Sequence, residues 1–276
     1  MYTGATPTEP LAPAPIAHDS ILLSHAVKTP RAFLLLHGLT ASPRQFASFG
    51  QLLHERGANV YIPRLPRHGL ADRLTAELAG LTAGELTAFA ADAARTAAEL
   101  GDELTVVGFS VGGLLSAWIG QHLEIARSVC IAPFLGLAWL PDRALPGLIR
   151  VALRAPNQFW WWDPRLRERM LPDHGYPRFS THAVARAADM AGELLRDAAR
   201  ATPAAGEVAI VVNGSEMTVS NPAARRLAAL WAARAPDRTS LHRLHGLPRS
   251  HDIIEPLRSP AVARAVYPLL LGLVDR

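Results

Sequence analysis

Cysteine is almost missing from this chain: Cys130 is the only one in 276 residues. No internal disulfide can form, and a reducing, cytoplasmic location is expected. Lysine is equally scarce, with Lys28 standing alone. The basic charge comes from arginines scattered through helical stretches, so the formal +4 does not gather into one basic run. No nucleic-acid partner is expected on that pattern. Long, clean apolar runs are absent, which excludes a transmembrane segment. The most apolar stretch, from Tyr267 to Val274, has the length of the core face of a last helix. The N-terminus lacks a basic start followed by an apolar segment, so it does not read as a signal peptide. Residues 1–18, rich in Pro, Ala and Thr, read as a flexible arm. Neither H-E-x-x-H nor C-x-x-C occurs, and no metal or cofactor is expected. There is no short-period repeat. What is present is 49% hydrophobic and 19% charged, enough for one sizeable core with an inserted subdomain. The sequence carries no indication of oligomeric state.

The chain is organised around Leu104 to Gly113. An apolar strand runs into Gly108-Phe109-Ser110-Val111-Gly112 and then into a helix. This G-x-S-x-G pattern is that of a nucleophile elbow. A serine that attacks an acyl carbon must project from the sheet on a sharp turn, and small neighbours let the following helix cross close to the strand. The helix N-terminus then faces the place where negative charge develops. The competing reading is a tight strand-to-helix turn without chemistry.

Around it, strand and helix patterns alternate. Strands are expected over 20–26, 31–36, 58–62, 104–109, 128–132, 207–212 and 240–245. Ser42-Pro43-Arg44-Gln45 predicts a capped helix start, with Gln45 closing the box. Thr82 and Glu85 form a second capping box, and Asn221 with Pro222 opens a third helix. This rhythm predicts an α/β fold: a mostly parallel, doubly wound sheet. It breaks after Pro133, and no strand pattern returns before about Pro203. A loop of that length without structure is implausible. The segment 136–203 is therefore expected to be an inserted helical cap, or lid, between two halves of the core, 19–135 and 204–276. Trp160, Trp161 and Trp162 lie in it. Core packing between cap and sheet accounts for at least two of them; the alternative is that all three, with Phe134, line an apolar substrate pocket.

A catalytic serine needs a base and an orienting acid. In a doubly wound sheet these stand on loops at the C-terminal ends of strands. Glu216 follows the next-to-last strand and His251 follows the last. The order Ser110, Glu216, His251 is the one expected for this fold. The backbone N–H groups of Leu39 and Val111 are the candidate oxyanion donors. His242 and His245 compete with His251 from the last strand and its end. Asp142 and Asp163 could supply the acid only if the cap folds back. His37 and His68 read as structural hydrogen bonders, and Asp252 and Glu255 as groups that solvate or cap the last helix.

These residues together resemble an α/β-hydrolase of the bacterial carboxylesterase and monoacylglycerol-lipase-like kind. The carriers are Leu36-His37-Gly38-Leu39-Thr40, Pro66-Arg67-His68-Gly69, Gly108 to Gly113, Asn213-x-x-Glu216-x-x-Val219 and Ser250-His251. The resemblance spans about Ala32 to the end and implies a serine esterase acting on small-molecule esters, either of short to medium acyl length or monoacylglycerol-like. The same triad would serve acyl transfer to an alcohol or amine. A ligand-binding homologue without turnover is the reading from another class. Two positions depart from the family pattern: Glu216 stands where Asp is usual, and Arg67 where Gly is usual.

Overall fold

A computed structural model describes residues 16–141, 144–163 and 174–275. Seven strands form the central sheet: β1 (Ile21–Leu23), β2 (Thr29–Leu36), β3 (Asn59–Ile62), β4 (Gly101–Phe109), β5 (Arg127–Ile131), β8 (Glu207–Asn213) and β9 (Thr239–Leu244). Their spatial order is β1-β3-β2-β4-β5-β8-β9. Only β1 runs antiparallel, pairing with β3 at one edge. The inner strands read as unbroken apolar runs because both of their faces are covered. In β2, every residue from Ala32 to Leu36 is fully buried.

Helices cover the two faces. α1 (Ala47–Glu55) and α7 (Pro260–Val274) meet through Phe49 and Tyr267, whose rings lie 5.2 Å apart. α2 (Ala83–Ala98), α3 (Val111–His122), α5 (Thr181–Ala198) and α6 (Asn221–Ala232) pack in succession. The α2 start is the expected capping box: Glu85 N–H donates to Thr82 Oγ1, and Thr82 N–H to the Glu85 carboxylate. The α6 start is shifted by one residue. Ser220 is the cap, accepting from Ala223 N–H, while Asn221 turns back to donate to the Asn213 carbonyl.

Register decides where the site falls. Leu36 pairs with Gly108, Phe109 with Ile131, Ile131 with Val211, and Asn213 with Leu244. The strands therefore end together, and the loops after β2, β4, β8 and β9 emerge along one rim of the sheet.

The insertion between β5 and β8 is not purely helical as expected. It carries α4 (Leu145–Arg154), then two short strands, β6 (Phe159–Trp161) and β7 (Arg178–Ser180), paired antiparallel. Three-residue strands leave too little alternation to be read in a Trp- and Pro-rich stretch. Its last helix, α5, touches α4 on one side and α2, α3 and α6 on the other, so it belongs to the layer on the sheet as well as to the insertion. Of the expected N-terminal arm, residues 1–15 lie outside the described residues. The remainder is tied down: Ala17 and His18 N–H both donate to the Gly69 carbonyl.

Candidate active site

Ser110 sits between β4 and α3 at φ 57° and ψ −115°. A non-glycine residue there is strained and must be held by its surroundings. Ser110 N–H donates to the Ile131 carbonyl, and Phe134 N–H donates to the Ser110 carbonyl. The crossing of helix over strand is very close. A Cβ added to Gly108 would lie 1.9 Å from the Gly112 carbonyl oxygen, and one added to Gly112 would lie 1.9 Å from the Leu36 oxygen. Only glycine fits either position.

His251 Nε2 lies 2.8 Å from Ser110 Oγ, and His251 Nδ1 lies 2.8 Å from Glu216 Oε2. A carboxylate only accepts, so Nδ1 carries the proton and Nε2 is left to accept from the serine hydroxyl. The other Glu216 oxygen, Oε1, accepts from the N–H groups of Met217, Thr218 and Val219 at 2.9, 2.6 and 3.4 Å. Burial pushes the Glu216 pKa up. The hydrogen bond and charge of His251 and the N–H groups of Thr218 and Val219 outweigh it and hold the carboxyl below its usual value. Glu216 thus remains an anion beside the imidazole. Asn213 ties the two loops together. Its side chain donates to the Pro248 carbonyl at 2.8 Å and accepts from Ser215 N–H at 3.0 Å.

The rival bases are placed elsewhere. His242 Nε2 lies 3.0 Å from Ser240 Oγ on β9, and His245 is exposed beyond the strand. Asp142 lies outside the described residues. Asp163 follows β6, and the His251 Nδ1 proton it would have to receive is already bound by Glu216.

Leu39 and Val111 line the same cavity as Ser110 and His251. Val111 is the first residue of α3, so its N–H has no partner within the helix. The loop carrying Leu39 is tied to the segment 65–68 by one histidine from each side. His37 accepts from Leu65 N–H at 3.1 Å, and His68 accepts from Thr40 N–H at 3.1 Å. Each ring also donates through Nδ1 to a carbonyl, Gly38 for His37 and Pro66 for His68. Burial drives both pKa values down, aided for His37 by neighbouring His68; His68 falls to about 4. These two histidines are neutral structural groups.

The cavity measures about 590 Å³ and is mainly apolar, with Phe134, Leu145, Ile149 and Val184 in its wall. Trp160 and Trp162 line it; Trp161 does not. Trp162 follows β6 directly and its backbone N–H still pairs with the Pro177 carbonyl, so the strand's alternation extends over it: side chains two apart share a face and the one between points the other way. Core packing fails as an account of the two lining indoles, which remain 59% and 43% exposed. Trp162 also donates its ring N–H to Thr40 Oγ1 at 2.7 Å, joining the insertion to the Leu39 loop.

Several residues were missed or misread from sequence. Ser42 makes no capping hydrogen bond; its hydroxyl lies 3.1 Å from His174 Nδ1, whose other nitrogen bonds Glu255. Gln45 closes no box but bridges Gly38 N–H and Asp252. Asp252 and Glu255, expected in solvent or at a cap, are buried. Among the described residues no cluster of three His, Cys, Asp or Glu could hold a metal ion, and no helix is long and apolar enough to cross a membrane.

A model of the alpha/beta hydrolase family matches residues 33–266. The chain belongs to that family. Solved structures of the same fold include a monoacylglycerol lipase from Paleococcus ferrophilus, at 19% identity and TM-score 0.67, covering 92% of this chain and 98% of that one. A monoglyceride lipase from Saccharomyces cerevisiae aligns at 13% identity and TM-score 0.65, covering 99% and 98%. A structure of metagenome-derived lipolytic enzymes aligns at 19% identity and TM-score 0.64, covering 94% and 99%. No curated protein matches the chain. At these identities the likeness is one of alpha/beta hydrolase fold.

Proposed function

We propose that this alpha/beta hydrolase is a serine esterase that cleaves carboxylic esters, of short to medium acyl length or monoacylglycerol-like. One observation carries the reading: the unbroken chain from Ser110 Oγ through His251 to the Glu216 carboxylate, with both contacts at 2.8 Å. Ser110 Oγ attacks the ester carbonyl carbon as its proton passes to His251 Nε2. Glu216 holds the productive tautomer and stabilises the imidazolium that forms. The carbonyl oxygen, now an anion, receives the N–H groups of Leu39 and Val111. Collapse of the tetrahedral intermediate breaks the carbon–oxygen bond of the leaving alcohol, which takes the proton from His251. Water then gives a proton to His251 and attacks the acyl carbon, and Ser110 leaves with that proton restored. The apolar cavity under the insertion suits the acyl or alcohol chain.

The experiment is labelling with a fluorophosphonate and turnover of a p-nitrophenyl ester, each compared with Ser110→Ala. The reading expects labelling of Ser110 and a loss of roughly 10⁴- to 10⁶-fold in kcat for the variant, without loss of fold. Retained turnover above a few per cent would remove Ser110 from the mechanism. A folded protein that is not labelled would favour the ligand-binding reading. Ester exchange exceeding hydrolysis with added alcohol would favour acyl transfer.

A further inference from the structure

Gln45 lies on the short 3₁₀ turn Pro43–Phe46 and is 3% exposed. Its amide has only one workable orientation. Oε1 accepts from Gly38 N–H at 2.8 Å, and Nε2 donates to Asp252 Oδ2 at 2.9 Å. Turning the amide over would set a donor against a donor and an oxygen against a carboxylate. Asp252 is also buried, and its second oxygen, Oδ1, accepts from Ile254 and Glu255 N–H at 3.0 and 3.1 Å. Gly38 precedes Leu39, and Asp252 follows His251. One side chain therefore ties the loop with the oxyanion donor to the loop with the base, across 207 positions of sequence.

We infer that Gln45 and Asp252 are a pair of positioning residues that fix the oxyanion donor of Leu39 relative to the imidazole of His251; the inference rests on the serine-esterase reading. No atom of the pair reacts. Its effect is alignment, and a displacement of about 1 Å in such a site can lower the rate on the order of 10²-fold. Removing the amide would leave a buried N–H and a buried carboxylate oxygen without partners, so both loops would relax toward other contacts.

The test is a charge exchange across the pair. Gln45→Glu places two carboxylates in contact, and Asp252→Asn either sets two amide donors against each other or gives up the turn. Each single variant should lose about 10- to 100-fold in kcat on a p-nitrophenyl ester with KM little changed. The double variant Gln45→Glu with Asp252→Asn restores every bond. The introduced carboxylate accepts from Gly38 N–H and from the introduced amide, whose oxygen still accepts from residues 254 and 255. It should recover kcat to within about threefold of wild type. Singles that keep kcat within twofold would overturn the inference. So would a folded double variant no faster than the singles, or one that fails to fold, since the pair would then support the fold and not the alignment. Failure of the esterase reading looks different: wild-type protein would not turn over the ester or react with fluorophosphonate.

Discussion

The loops that carry Ser110 and Leu39 are held in different ways. The turn at Ser110 is fixed backbone against backbone: a strained serine bonded to Ile131 and Phe134, two glycines packed on the Gly112 and Leu36 carbonyls, and a helix that starts at once. The loop through Leu39 and Thr40 has two local bonds, from Ala41 N–H and the His37 ring to the Gly38 carbonyl, and otherwise depends on segments far away in sequence. Thr40 also has positive φ, 66°, and all of its polar groups are bound by distant residues. Its N–H goes to His68, its hydroxyl accepts from Trp162, and its carbonyl accepts from Tyr176 N–H. A local device shows in a short sequence pattern and tolerates no change inside it. A long-range device can show its loops as short patterns, here Leu36 to Thr40 and Pro66 to Gly69, but its contacts are marked by no spacing and can be weakened in steps from many positions.

The sharpest break on the local side is at Glu216, whose turn is closed by the three N–H groups that follow it. Glu216→Gln keeps the shape but offers His251 Nδ1 an amide, which can favour the wrong tautomer. The expected loss is about 10⁴ in kcat, close to 5.5 kcal/mol of barrier. Glu216→Asp should be far milder, because the charge remains and only the reach to His251 shortens. Steady-state kinetics of both variants on one ester decide the matter. Equal losses would mean that geometry, and not the tautomer, is what Glu216 supplies.

The next effect is on folding. Gly112→Ala puts a methyl group 1.9 Å from the Leu36 carbonyl oxygen, where only backbone can yield. A loss of at least about 3 kcal/mol is expected, seen as a large fall in Tm or in soluble yield. A variant as stable as wild type would show that the helix can slide, and that the elbow is less rigid than its glycines imply.

This contrast also separates what the sequence made readable from what it hid. Ser110, Glu216 and His251 follow from strand order and from short patterns at strand ends. The fold follows from alternating apolar strands and capped helices such as that at Thr82. Gln45 was legible only as a capping glutamine, because its partner is 207 residues away and nothing local marks it. His174 and Glu255 were hidden for the same reason. The short strands around Phe159 and Arg178 were hidden because pairing, and not period, defines them. Which indoles face the cavity, Trp160 and Trp162 and not Trp161, was hidden for want of that strand's register.

The long-range loop should give way in acid. His68 is buried neutral with a pKa of about 4, and His37 is lowered as well. The unfolded chain takes up protons at these histidines near pH 6.5, while the native chain does not. Stability is therefore complete above that pH and falls as pH drops from about 6.5 to 4; His68 alone accounts for roughly 3 kcal/mol over that window. Glu216, also depressed, adds a loss in the same direction at lower pH. Thermal melts of wild type and His68→Gln across this range test it. The variant keeps an acceptor for Thr40 N–H, and its stability should fall less steeply, by about one proton. Parallel slopes would show that His68 does not stay neutral in the native state.

The smallest effect is expected at Arg67, where local and distant support nearly cancel. Arg67 has φ of 64°, a region glycine occupies freely and other residues enter at a cost of about 1 kcal/mol. Against this, its guanidinium pairs with Glu77 at 3.0 Å and Glu85 at 3.1 Å, both partly exposed. Such pairs contribute roughly 0 to 1 kcal/mol each. Its carbonyl accepts from the Tyr176 hydroxyl whatever the side chain. Arg67→Gly removes the strain and the ion pairs together and raises the entropy of the unfolded chain, so stability should stay within about 1 kcal/mol of wild type. Arg67→Ala removes the pairs but keeps the strain, and should be the less stable of the two by about 1 kcal/mol. Esterase rates should be unchanged in both, since Arg67 is outside the cavity wall. Denaturant midpoints at low and at high salt separate the contributions, because only the ion pairs are screened. If Arg67→Gly fell well below Arg67→Ala, the guanidinium would not be compensating strain, and the departure from glycine at this position would need another cause.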